Sequence, residues 1–155
     1  MRNRAMVFAI LLALAQGAQA QAVADKKVLT LAGAQRIVEA ALAVAKSNRL
    51  RQSIAVVDDG GNLMAFVRMD DAQLAGVQMA VGKARTALLF QGPSKGFADR
   101  IAAGHLNVLA LPDMLPADGG QPIVVGGKIV GAVGVSGASP TQDGQTAVKA
   151  AASLQ

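Results

Sequence analysis

The chain has 155 residues, 52% of them hydrophobic, and a formal charge of +5. That length, with no long polar linker, suits one domain with a sizeable buried core. It has no cysteine, and phenylalanine is its only aromatic residue, which excludes thiol catalysis, zinc thiolate sites and disulfides and leaves no run of stacking side chains for nucleic acid.

The first segment reads as a targeting signal. A basic MRNR start precedes the apolar run Ala5 to Ala15 and the small-residue pattern Ala18-Gln19-Ala20, the three parts of a cleavable secretory signal over residues 1–20. The apolar run is short of the roughly 20 residues that span a bilayer, so the expectation is a periplasmic or secreted protein with no stable membrane anchor after cleavage. Loss of Arg2 and Arg4 with the signal lowers the charge of +5 by two. The remaining basic excess is mild and favours a small anionic ligand over nucleic acid. Residues 21–28 are small and polar, a flexible leader, and the folded domain is expected over residues 29–155.

Thr30 can cap a helix in which Leu31, Ala34, Ile37, Val38, Ala41, Val44 and Ala45 recur at helical spacing; Ser47-Asn48 ends it. Ile54, Val56 and Val57 then form a strand, Asp59-Gly60-Gly61-Asn62 a turn, and Leu63 to Arg68 the returning strand of a hairpin. Asp58 and Asp59 are accounted for as turn formers. They come as an adjacent pair, without the alternating oxygens and closing glutamate of a calcium loop.

Asp70-Asp71, whose charges suit a helix N-terminus, precede a second helix from Leu74 to Phe90, stopped by Gln91-Gly92-Pro93. Ser94 is a candidate cap for a short helix ending near Gly104. The irregular segment Leu106 to Asp118 carries Leu109, Leu111, Met114 and Leu115, and apolar loops of this kind often cover a pocket. A second hairpin follows, Pro122 to Val125 and Lys128 to Val135 around Gly126-Gly127. Gly131 and Gly134 fall inside a strand, where they mark close backbone packing or a ligand approaching the sheet. Ser139, Pro140 and Gln142 then spell a capping box for a last helix running to about Leu154. Two hairpins separated by helices indicate an α+β fold with an antiparallel sheet.

The segments VVDDGGNLMAFVRMDDA from Val56, GKARTAL from Gly82, GGQPIVVGGKIVGAVGVSG from Gly119 and QDGQTAVKAA from Gln142 resemble the GlcG/HbpS family, which also includes the C-terminal domain of PduO-type corrinoid adenosyltransferases. The resemblance runs from Leu29 to Leu154. It implies a profilin- or PAS-like sandwich with a five-stranded antiparallel sheet flanked by helices, and a homo-oligomer. It also implies haem as a cofactor, since some members bind haem, while one exported member is an accessory to a sensor system.

Haem iron takes histidine, cysteine, methionine or tyrosine, and His105 is the one histidine here. It is the histidine candidate for the iron, beside the thioethers of Met69, Met79 and Met114. As bland alternatives, His105 is a surface residue after a helix-ending glycine and the methionines are core filler. Arg68, Met69, Lys83, Arg85 and Thr86 are the candidate ligand-binding residues, an anion grip for a propionate or small carboxylate; a solvated helix face with surface ion pairs explains them as well. An enzyme acting on a small organic acid by proton transfer is one alternative function, with Lys83 and Asp70 or Asp143 as its catalytic candidates, and an accessory protein of a sensor system is the other.

Overall fold

The computed structural model describes residues 24–155. The expected signal over 1–20 and the first part of the leader lie outside the described residues. From residue 24 to Thr30 the chain has no regular structure, and Lys26 there pairs with Asp59.

Helix α1 (Leu31–Ser47) begins as its sequence dictates: Thr30 is extended, and its hydroxyl oxygen accepts from the Gly33 N–H at 3.1 Å. Its buried side is Ala34, Ile37, Val38, Ala41 and Ala45. The first hairpin is β1 (Ser53–Asp58) and β2 (Leu63–Arg68). Its turn is organised by one carboxylate, because Asp58 Oδ1 accepts from Gly60 N at 2.9 Å and Asn62 N at 2.8 Å, and Gly61 supplies a φ of 81°.

These N–H groups, that of Asn62 above all, hold the Asp58 carboxyl below its ordinary value of 3.8. A depressed folded value means that the carboxylate stabilises the turn at neutral pH and that this contribution is lost as pH falls through the folded value. We therefore expect the Gly60 and Asn62 amides to lose hydrogen-exchange protection on acidification below about 3.8 in the wild type. In Asp58→Asn that loss should be absent; an acid response persisting in the variant would rule out Asp58 as its source.

Helix α2 (Ala75–Leu89) lies within one residue of the expected Leu74 to Phe90 at each end, but it has no acidic residue in its first turn, so Asp70-Asp71 stand ahead of its N-terminus. Asp71 instead takes a left-handed φ of 61° in the connecting turn. Helix α3 (Lys95–Ala102) follows, then a 3-10 turn (Leu106–Ala110). Ser94 does not cap α3. Its hydroxyl donates to Ala117 O at 2.5 Å and accepts from Gly120 N at 2.8 Å, so a distant loop has taken the group that local sequence would spend on the helix. The second hairpin is β3 (Gly120–Val125) and β4 (Lys128–Ser136). Helix α4 (Pro140–Ala151) carries the expected capping box at Ser139 and Gln142 and ends in a 3-10 turn (Ala152–Leu154).

The sheet is antiparallel, in the order β2-β1-β4-β3. Among the described residues it has four strands, where the family resemblance implied five; the α+β class stands. Strand alternation divides the core in two. Ile54 and Val56 of β1 and Val133 and Val135 of β4 pack against α1 and α4. Val57 and Ala132 pack on the other face against Ala84, Ala87 and Leu88 of α2. Gly134 is where α2 comes closest: a Cβ there would stand 1.9 Å from Ala80 O. Gly134 thus marks close helix-on-sheet packing, whereas a Cβ at Gly131 would meet Val57 O of the neighbouring strand at 2.3 Å.

Candidate functional site

Lys83 points from α2 toward the end of the sheet, with its Nζ beside Gly119, the residue before β3. Its ammonium donates to Asp143 Oδ2 of α4 at 2.9 Å and to Val135 O at 3.1 Å. Both side chains are almost fully enclosed, 2% and 3% exposed. Asp143 Oδ1 accepts from Gln52 Nε2 at 2.9 Å and from Ala138 N at 3.0 Å, which satisfies the buried carboxylate from three directions. The pair ties α2, on one face of the sheet, to α4 on the other. Of the catalytic candidates the structure joins Lys83 with Asp143; Asp70 is exposed, at the far end of the first hairpin. The Lys83 side chain is engaged by two acceptors and closed to solvent, so the pair acts as a link between the two helical layers. Gln52 belongs to the cluster, and nothing in the sequence signals it, because a glutamine just before a strand is ordinary.

Arg85 and Thr86 follow on α2 but face different ways. The Thr86 hydroxyl is buried, donates to Gly82 O at 2.9 Å and accepts from Leu115 N at 2.8 Å, so it fastens the apolar loop to the helix. Arg85 is exposed, and its Nε donates to Gly61 O at 3.1 Å, propping the hairpin turn against α2. Between turn and loop runs a groove of about 570 Å³. Arg85 lines it together with Leu89, Leu111, Asp113, Met114 and Leu115. Gly82 faces Leu115 across it, and a Cβ there would make an ordinary contact with that side chain at 3.4 Å.

Arg68 and Met69 lie elsewhere. They line a cleft of about 470 Å³ at the end of β2 with Leu42, Lys46 and Arg51, where Asp70 and Asp71 offset the cations. The five candidate ligand-binding residues therefore divide into a cleft, a buried pair, a groove wall and a loop anchor. His105 is exposed on the turn after Gly104, whose φ is +88°, and its backbone N–H closes α3 on Arg100 O at 2.9 Å. It lies outside both the cleft and the groove. Among the described residues no cluster of three or more acidic or histidine side chains could hold a metal ion, and no helix is long and apolar enough to cross a membrane.

Comparison with known proteins agrees with this architecture. The family model described as "Haem degrading protein HbpS-like" matches residues 29–152. Protein GlcG of Escherichia coli K12 is 41% identical over 111 residues, covering 72% of this chain and 83% of GlcG. The crystal structure of a Streptomyces reticuli HbpS double mutant superposes with a TM-score of 0.78 at 32% identity, over 90% of this chain and 95% of that one. A PduOC:Heme complex superposes with a TM-score of 0.75 at 25% identity, over 83% of this chain and 96% of that one.

Proposed function

The chain belongs to the HbpS-like family, and from that membership we propose that it is an exported protein that binds haem in the groove between the first hairpin turn and the Leu111 to Leu115 loop. The observation that carries this reading is the composition of one wall. Leu89, Leu111, Met114 and Leu115 offer apolar surface to a macrocycle, and Arg85 stands among them as a partner for a propionate. Arg85 commits its Nε to Gly61 O, which fixes the guanidinium plane and leaves its terminal nitrogens to bind a carboxylate. The Met114 thioether is a soft donor suited to iron. The chemistry of the donor set thus fits haem.

The Arg68 cleft has a smaller apolar lining, Leu42, Val67 and Met69, beside three cations and the acids Asp70 and Asp71, whereas the groove sets one cation and one acid, Arg85 and Asp113, among four large apolar side chains. When bound, haem supplies the redox and ligand-exchange chemistry of its iron; the protein's residues hold, orient and shield it. Export is supported by the basic, apolar and small-residue order of residues 1–20. The outer edge of β2, which pairs only with β1 among the described residues, supports the homo-oligomer implied by the resemblance.

The test is a haemin titration followed at the Soret band. We expect saturable binding by the wild type, weakened about tenfold or more by Arg85→Ala or by Met114→Ala, as loss of a charge-assisted or iron contact worth about 1.4 kcal/mol would do. His105→Ala should bind as the wild type does. A titration that responds to His105→Ala and ignores both groove variants would defeat the proposal.

A further inference from the structure

A second cleft lies between the start of β3 and the exposed side of α4. It has a volume of about 390 Å³ and is lined by Lys95, Asp118, Gln121, Thr141, Gln145, Val148 and Lys149, with Gly144 and Pro93 completing its walls. That volume suits a small molecule.

Asp118 is the group the fold has fixed in place. The loop carrying it is held on both sides of the residue by Ser94, whose hydroxyl bonds Ala117 O and Gly120 N and whose N–H bonds Gly120 O at 3.0 Å. The Asp118 carboxyl rests against α4 where Gly144 leaves room: a Cβ on Gly144 would come within 2.3 Å of Asp118 Oδ1. A carboxylate pressed against a helix, among Val148, Pro93 and two glutamines, is poorly hydrated. Burial accordingly pushes the Asp118 carboxyl above its ordinary value, against the opposing pull of the Gly119 N–H and of Lys95 and Lys83. The charged groups that act on it are Lys95 and Lys83, which lower its value, and Asp99, which raises it; Lys149 of α4 lines the same cleft. Asp143 is neutralised by Lys83, and Lys95 by Asp99 at 2.6 Å. Lys149 is the exposed cation on the cleft wall with no acidic partner among the described residues.

We propose that this cleft binds a small carboxylic acid with a short apolar body, whose carboxylate meets Lys149 and shares one proton with Asp118. The apolar body lies on Val148 and Pro93, and Gln121, Gln145 and Thr141 supply hydrogen bonds to any further polar group. Two carboxyl groups in contact cannot both ionise, so one proton stays between them. Binding therefore takes up a proton: no covalent bond is made or broken, and the proton comes from solvent. This site is separate from the haem groove, and failure of haem binding leaves it standing.

The test uses sodium butanoate and isothermal titration calorimetry of the protein in buffers of different ionisation heat, from about pH 5.5 to about pH 7.5. The wild type should bind butanoate with uptake of up to one proton, its affinity rising up to about tenfold for each unit of pH lowered. Asp118→Asn should show no proton uptake and a flat pH profile, and Lys149→Gln, on an exposed position, should weaken binding severalfold. Absence of butanoate binding by the folded wild type, or proton uptake that survives in Asp118→Asn, would overturn the proposal.

Discussion

Replacing Gly134 by valine is expected to leave no cooperatively folded protein. Even the first carbon of a side chain at this position would stand 1.9 Å from Ala80 O and 2.6 Å from Ala84 N. Both neighbours are helix backbone, which cannot rotate aside as a side chain would. Helix α2 would have to lift from β4, opening the layer in which Ala80, Ala84 and Ala87 are buried. Overpacking by a methylene or so costs about 1–3 kcal/mol and occasionally more. Here the clash is with a whole helix, against a total stability of about 5–15 kcal/mol for a domain of this kind.

Gly134→Ala is the graded version and should lower the urea midpoint in proportion to a loss of about 3 kcal/mol, at the upper end of that overpacking range. Gly96 is the control, since a Cβ there meets nothing within 4 Å. Gly96→Ala, inside helix α3, should be neutral or stabilising by up to about 1 kcal/mol. A Gly134→Ala protein with the wild-type midpoint would mean that α2 does not lie against β4 as described.

Removing Lys83 should be nearly as damaging, for an electrostatic reason. Lys83→Ala leaves the Asp143 carboxylate enclosed, with Gln52 and Ala138 still donating to it but with no cation. Breaking one side of a buried ion pair costs about 3–5 kcal/mol, because the charge left behind is unsolvated. Lys83→Met combined with Asp143→Asn removes both charges at similar volume and keeps an acceptor for the Ala138 N–H. The double variant should recover most of that loss, as neutral replacements of buried pairs often do. The check is denaturation of the wild type and of both variants. If Lys83→Ala costs less than about 1 kcal/mol, the pair is not the tie between helical layers that its burial implies.

The comparison of sequence with structure separates local from distant causes. The Asp58 turn and the Ser139 capping box were legible because every group involved lies within four residues of its partner. Ser94 misled for the converse reason: its position suited a cap, yet its hydroxyl serves Ala117 and Gly120 more than twenty residues on. Lys83 with Asp143 was one of two pairings left open by the sequence, beside Lys83 with Asp70; sixty residues separate the two, and only the paths of α2 and α4 past the end of β4 decide for Asp143.

Arg68 and Arg85 looked like one grip on an anion because the strand and helix that carry them are adjacent in sequence. The strand points Arg68 toward α1, whereas Arg85 leans on the opposite end of the hairpin at Gly61. Asp118 carried no signal, because an aspartate in a proline-broken loop is what any turn provides. Its setting arises from Ser94, Gly144 and Lys83, which come from three separate parts of the chain.

The measurement that bears most directly on haem binding is hydrogen–deuterium exchange of the protein with and without haemin. Protection gained on haemin addition should fall on residues 60–62, 82–89 and 111–115, the segments that line the groove, while residues 42–51 and 67–71 exchange as before. Protection centred on the Arg68 cleft, or on the turn around His105, would contradict binding in the groove.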